Sequence, residues 1–352
     1  MKIALLYLDA LRSGGYPRDV RWLGSALARQ GHEVSLVART GREDDGLEGV
    51  EIIPPRGFPS HCRNIDLVHS WGLFVPAQVA LETLARKRRP VAPAVVSPLA
   101  QLMPLHLGRS LWKKVPYLTL LRPTLRGSGP VVHFFSEEEY WSSLHYLQPK
   151  AHFEATLGLY PVTATAHSDV TRDYVLFLGR NDISQKGLDV LVEGHRHALR
   201  RGNEMLLVVA GHSEKGSAAY WRKVASDPEL SPFIELVGEV SEERRGSLLA
   251  GARCLVFPSR WDGPPRPVRE AIAVGTPVIV TNGTNMGKLV ESQGAGCLVA
   301  LDPSSIADGL LQAADPDTLS RWREGATQLR DRLTWDRVAS DYIDGYKLTL
   351  AI

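Results

Sequence analysis

What most constrains this chain is a rhythm. Short, wholly apolar runs alternate with longer amphipathic stretches, and the series runs through the chain twice. In the first half, Ile3–Leu8 is a continuous apolar run after Met1-Lys2. Val20–Gln30 follows as an amphipathic stretch ending before Gly31, a residue type that closes helices. Glu33–Ala38, Asp66–His69, Val91–Ser97 and Val131–Ser136 read as further strands, with a helix over Gln78–Arg86. Continuous rather than alternating apolar strands, separated by helices, are the mark of a parallel sheet covered on both faces.

The series restarts at Tyr174–Gly179 and continues through Met205–Ala210, Ile234–Val237, Cys254–Pro258 and Val278–Thr281. Between the two halves, Leu157–Asp173 carries Pro161 and several Thr and Ala residues and reads as a linker. A last amphipathic helix runs from Thr334 through Tyr346. The expectation is an α/β protein: a doubly wound domain over 1–160, a second over 172–332, and a terminal helix in 333–352 returning to the first. A length of 352 residues suits two domains. Ligands in such sheets bind beyond the carboxyl ends of the strands, here in a cleft that the two domains face.

Composition removes other classes. A hydrophobic fraction of 44% with 23% charged residues is that of a folded chain. No apolar run approaches 18 residues, and the N-terminal run is too short for a signal peptide. Cys62, Cys254 and Cys297 cannot all pair and form no CxxC, so they read as buried thiols of a cytoplasmic protein. The net charge is +2, too small to demand nucleic acid. Residues 1–160 nonetheless hold 19 Lys+Arg against 14 Asp+Glu. Local clusters at Arg86-Lys87-Arg88-Arg89 and at Arg109, Lys113, Lys114, Arg122 and Arg126 read as solvated helix faces, or as contact with an anionic acceptor or a membrane surface.

Three segments carry chemistry. Ser13-Gly14-Gly15 follows the first strand, where glycines let backbone N–H groups approach a phosphate or sugar. A bare strand-to-helix turn is the plainer reading. Leu178-Gly179-Arg180 with Lys186-Gly187 puts two cations at the carboxyl edge of a strand, suited to a diphosphate. The third segment runs from Pro258 to Val278, with Asp262 and Glu270 eight positions apart across a Gly/Pro-rich loop. One carboxylate could hold ribose hydroxyls and the other sugar hydroxyls.

The third segment resembles the E-x7-E signature of retaining GT-B glycosyltransferases of family 4, and Glu270–Val278 follows its E-A-x-A-x-G-x-P-V pattern. Arg180 and Lys186-Gly187 resemble the family's G-R…K-G clamp, Asp66–His69 its D-V-V-H strand, and Trp335–Tyr346 its W-x-x-V-A-x-x-Y-x-x-x-Y tail. The resemblance implies a GT-B fold of two Rossmann-like domains. It implies transfer of a sugar, with retention, from a nucleoside-diphosphate sugar to a hydroxyl acceptor. It implies no cofactor and no bound metal. Arg180 and Lys186 would stabilise the departing diphosphate, with Asp262 as the third catalytic candidate. Glu270 would bind the ribose. Gly14, Gly15, Gly179, Gly263 and Arg266 would lie along the donor. UDP, GDP and dTDP all suit the site. The acceptor could be a glycan, a lipid-linked sugar or a small molecule, and a lipid-linked acceptor would place the protein at the inner membrane face.

Three departures from the family pattern stand out. Asp262 replaces the leading Glu and retracts the carboxylate by about 1.5 Å. Pro264 and Pro265 remove two backbone donors, leaving Gly263 and Arg266 to donate nearby. Ser97-Pro98-Leu99-Ala100-Gln101-Leu102 resembles the family's S-P-H-G-x-L with Leu99 in the His place. The His usually meets the donor's 6-hydroxyl, and a leucine leaves that hydroxyl unsatisfied at a cost of about 1–3 kcal/mol. The donor expected is therefore a 6-deoxyhexose or a pentose, unless Gln101 or His106 takes the position. Trp71, where the family often has a second His, and Trp261 read first as packing residues. His69 reads as a polar strand end. A second reading of the chain is an inactive sugar-nucleotide-binding partner subunit, favoured by Leu99, Asp262 and the prolines. An epimerase lacks an acid–base set, and a dehydrogenase lacks GxGxxG.

Overall fold

The computed structural model describes residues 1–39, 41, 44, 46–87, 93–108, 112, 114–119, 129–164, 170–214 and 216–352, with backbone alone at 63, 82–87 and 105. The chain divides into two compact units: Met1–Gly158 with Leu333–Ile352, and Leu159–Arg332. Most of the two basic clusters, namely Arg88, Arg89, Arg109, Lys113, Arg122 and Arg126, lies outside the described residues, and of Arg86 and Lys87 only the backbone is described.

The first unit holds a seven-stranded sheet of β1 (Lys2–Leu6), β2 (Glu33–Val37), β3 (Val50–Ile53), β4 (Leu67–Trp71), β5 (Ala94–Ser97), β6 (Val131–Phe134) and β7 (His152–Glu154). Its order is β3-β2-β1-β4-β5-β6-β7, and every pairing is parallel. β4, β5 and β6 are buried throughout, and β1 and β2 are buried after their first residue, because helices cover both faces. Ala4, Leu6, Val37, Phe58 and Val68 form one cluster, and Val96, Leu102, Val132 and Phe134 another. Each fully buried aliphatic or aromatic side chain contributes about 1.5–3 kcal/mol.

The second unit holds six parallel strands: β8 (Tyr174–Leu178), β9 (Leu206–Ala210), β10 (Ile234–Gly238), β11 (Leu255–Phe257), β12 (Val278–Val280) and β13 (Gly296–Leu298). Their order is β10-β9-β8-β11-β12-β13. In each sheet the direction of winding reverses beside the first strand, at β1/β4 and at β8/β11. These are topological switch points, where loops diverge and leave a crevice.

The structure corrects several expected bounds. β1 ends at Leu6, since Tyr7 and Leu8 already belong to a turn. The first helix starts at Gly15 rather than Val20; Pro17 sits in its first turn, where its missing N–H is no loss. β5 is described only from Ala94. Cys62 and Cys254 are buried free thiols, but Cys297 is half-buried, lying in the edge strand β13. No helix among the described residues is long and apolar enough to cross a membrane.

Candidate active site

In the second unit, two loops meet at the β8/β11 switch point. Gly179 closes β8 with φ of 156°, and Gly187 opens the following helix with φ of 67°. A Cβ on Gly187 would stand 2.1 Å from the Pro258 carbonyl oxygen, so only glycine lets the Lys186 loop lie against the loop after β11. Arg260 N and Ser259 Oγ donate to the Gln185 carbonyl at 2.9 and 3.2 Å. Gln185 Nε2 donates to the Trp261 carbonyl at 3.3 Å. The Arg260 guanidinium grips Asp189 with two bonds, of 2.8 and 2.7 Å.

This frame sets Lys186 against Asp262. The Lys186 ammonium is an ion-pair partner of Asp262 Oδ2 and lies 5.1 Å from the centre of the Phe257 ring. Its side chain is 8% exposed, so a nearly dry cation faces a half-buried carboxylate. Arg180 is more open. It donates to Glu214 Oε1 at 2.9 Å and to Gln185 Oε1 at 3.2 Å. Asp262 is fixed from behind as well: its N–H donates to the Gly283 carbonyl at 2.6 Å, and Asn285 Nδ2 donates to its carbonyl at 2.6 Å. The Asn282–Asn285 turn thus supports Asp262.

Glu270 lies in the helix Arg266–Ala273 and is buried. Arg266 Nε donates to its Oε1 at 2.6 Å, and Arg245 Nε lies 2.7 Å from its Oε2. Arg266 also binds Glu242 at 2.9 Å. Burial alone would pull the Arg266 guanidinium down, but the two carboxylates hold it above its ordinary value. The Arg266 guanidinium is thus engaged by two carboxylates. Gly263, between Asp262 and Pro264, is buried.

In the first unit, the loops after β1, β4 and β5 converge. Gly14 (φ 144°) and Gly15 lead into the helix, and Tyr16 in its first turn donates to the Leu99 carbonyl at 3.4 Å. Gly72 N donates to the Ser97 carbonyl at 2.8 Å, and Leu73 N to Gln101 Oε1 at 3.0 Å. Leu99 and Ala100 are both buried and both left-handed, with φ of 59° and 57°. Asn285 is the only other such non-glycine among the described residues. Glu139 is fully buried beneath this turn; its Oε1 accepts from Ala100 N at 2.6 Å and its Oε2 from Phe135 N at 2.8 Å. Burial raises its carboxyl to about 7 against the pull of those two bonds.

His69 is not a strand end but an interior residue of β4, wholly buried. Trp71 is equally buried, packed among His69, His133, Phe135 and Tyr342, and so offers no face to a sugar. Trp261 is also buried.

Sequence reading missed Gln185, Arg245 and Glu139. Of these, Glu139 left a signal: Ser136-x-x-Glu139 is a capping-box spacing, and Ser136 Oγ does accept from Glu139 N at 3.2 Å. The others left none, since they meet their partners only through the fold.

Comparison with known proteins agrees with this fold. Over 99% of both chains, sucrose-phosphate synthase from Thermosynechococcus elongatus superposes with a TM-score of 0.72 at 18% identity. HepE from Anabaena, solved in complex with UDP, covers 99% of this chain and 100% of its own with a TM-score of 0.73 at 14% identity. The protein has the GT-B fold. Residues 172–315 match the family model "Glycosyl transferases group 1", and this segment is a group 1 glycosyltransferase domain. Phosphatidyl-myo-inositol mannosyltransferase from Mycobacterium tuberculosis is 28% identical over 180 residues, 49% of this chain and 46% of its own length. O-antigen chain mannosyltransferase B from Escherichia coli is 30% identical over 149 residues, 40% of this chain and 37% of its own. The matches thus span less than half of each of these relatives.

Proposed function

We propose that the protein is a retaining glycosyltransferase that moves a sugar from a nucleoside-diphosphate sugar to a hydroxyl acceptor without a metal ion. The observation that carries this reading is the Arg180–Gln185–Lys186–Asp262 cluster at the β8/β11 switch point. Two cations of differing exposure suit a diphosphate: charge grows on it as the bond from the anomeric carbon to its oxygen breaks. The acceptor oxygen bonds to the same face of that carbon, and its proton passes to the leaving diphosphate. Lys186 and Arg180 neutralise that charge, and Asp262 holds sugar hydroxyls once the diphosphate has drawn Lys186 away. Glu270 holds the ribose. A carboxylate has about four acceptor sites, so hydroxyls can share it with Arg245 and Arg266. The structural neighbour solved with UDP supports a nucleoside-diphosphate donor, and the relatives named as mannosyltransferases support sugar transfer.

The donor proposed is a 6-deoxyhexose or pentose nucleotide, because buried Leu99 stands in the His place and offers an apolar wall. A thermal-shift panel of UDP, GDP, dTDP and their sugars, followed by turnover, tests this. A nucleotide sugar without a 6-hydroxyl should stabilise the protein beyond its bare diphosphate. UDP-glucose as best donor would overturn the donor class. Binding without any turnover would favour the inactive partner subunit, which the Asp262-bound Lys186 and Arg-bound Glu270 also fit.

A further inference from the structure

The turn Leu99–Ala100 asks for an explanation that its own sequence does not supply. Left-handed backbone suits glycine; two consecutive side-chain-bearing residues hold it only when their surroundings impose it. Such turns cluster where a chain must present a group in a set direction. Here Glu139 imposes it. In an ordinary capping box the Glu at the third helical position reaches back to the N–H of the capping Ser. Glu139 instead accepts from Phe135 N, one residue earlier, and its other oxygen crosses to Ala100 N on the loop after β5. Both oxygens are thereby occupied by backbone donors at 2.6 and 2.8 Å in a site closed to solvent. The Leu99 carbonyl is held from the other side by Tyr16, whose ring stacks on Phe135 at 5.8 Å and 6°.

We infer that Glu139 is a positioning residue for sugar transfer: its carboxylate clasps the left-handed turn at Ala100 and so sets how Leu99 is presented at the ligand edge of the first sheet. The inference rests on the proposed reading that this turn meets the donor sugar. Glu139 touches no substrate itself. Its chemistry is specific, since both atoms facing it are N–H donors. A carboxylate accepts from both, whereas a carboxamide turns its NH2 toward one of them.

The test compares wild type, Glu139→Gln, and Glu139→Gln combined with Ala100→Gly in the full chain. Three readouts are used: amide exchange over residues 98–104, turnover of the donor found in the panel, and the melting shift caused by its bare nucleoside diphosphate. Glu139→Gln should speed exchange at Ala100 and lower kcat by ~10-fold or more, as a turn displaced by about 1 Å can. The shift with bare diphosphate should stay at the wild-type value. Ala100→Gly should recover part of the lost kcat, because glycine adopts a φ near 57° unaided. Wild-type kcat in Glu139→Gln overturns the positioning role while leaving glycosyl transfer intact. Unchanged exchange at Ala100 overturns the clasp itself. If wild type turns over no donor, the functional reading falls and the role in transfer falls with it. Should Glu139→Gln not fold, Glu139→Asp, which keeps the charge but cannot reach both donors, takes its place with the same expected outcomes.

Discussion

The phenol of Tyr346 stands 2.8 Å from Nδ1 of His69, and the direction of that hydrogen bond is set at the far end of a buried chain. His133 Nε2 lies 2.7 Å from the Ala155 carbonyl, which can only accept, so Nε2 carries the hydrogen. A neutral His133 then accepts at Nδ1 from Ser97 Oγ, 2.7 Å away. The Ser97 oxygen in turn accepts from His69 Nε2 at 2.6 Å, leaving Nδ1 to accept from Tyr346. Burial lowers the pKa of both histidines, which keeps them neutral as this order requires. The chain joins β4, β5 and β6 to the last helix, Trp335–Ala351, within one unit.

Removing the middle of this chain should cost more than removing its end. Ser97→Ala strands a donor on His69 and an acceptor on His133, for a loss of about 3 kcal/mol, while Tyr346→Phe strands one acceptor, for about 1–2 kcal/mol. The two losses should not add, since both variants disrupt one network. Opening free energies from amide exchange in β4 and β5 measure this for the first unit alone. A Ser97→Ala loss below that of Tyr346→Phe would contradict the assigned directions.

Lys186 and Asp262 should respond in opposite senses. Lys186→Ala removes a nearly buried cation and should weaken nucleoside-diphosphate binding by ~10–100-fold. Asp262→Asn removes the carboxylate that occupies Lys186, and the bare diphosphate should then bind a few-fold tighter, while turnover falls. Titration calorimetry with the diphosphate reads both. Weaker binding in Asp262→Asn would mean that Asp262 orients Lys186 rather than competing for it.

Glu270 should separate ribose from phosphate. Glu270→Ala should weaken a nucleoside diphosphate by ~10-fold or more and leave inorganic pyrophosphate unaffected, because hydrogen bonds to a charged group contribute about 1.5–3 kcal/mol. Equal losses for both ligands would show that Glu270 acts by holding Arg245 and Arg266, whose charges then serve the phosphates.

The central strands were legible in the sequence because they are buried on both faces and read as unbroken apolar runs. The three missed strands, β3, β7 and β13, all lie at sheet edges. Val50–Ile53 is half exposed, His152–Glu154 has one buried residue, and Gly296–Leu298 opens on glycine, so none carries such a run. The site was legible where one short segment supplies the chemistry, as Arg180 with Lys186 and Asp262 with Glu270 do. It was illegible where residues distant in sequence meet: Arg245 lies 25 positions before Glu270, and Glu139 lies 39 after Ala100. The pairing of the Arg266 guanidinium with Glu242 was illegible for the same reason, since the two lie 24 positions apart.

Glu139 and His133 should shape the pH dependence of the first unit with opposite signs. His133 falls from 6.5 to about 4 on folding, by burial. Its contribution is therefore full above 6.5 and is lost as the pH falls toward 4, because the unfolded chain binds the proton more readily. Glu139 rises from 4.5 to about 7, also by burial. Its contribution is full below 4.5 and is lost as the pH rises through 7. Each shift is of the order of 3 kcal/mol over its window. Between about pH 4.5 and 6.5 the two oppose each other, so wild type should lose stability only shallowly with acid. Glu139→Gln removes the compensating group and leaves the histidines, whose loss then shows undiminished. Amide-exchange free energies in β4 and β6 should fall more steeply in Glu139→Gln than in wild type between pH 6.5 and 5. Parallel slopes would mean that Glu139 does not hold a proton in the folded chain at these pH values, and that its hydrogen bonds from Ala100 and Phe135 outweigh its burial.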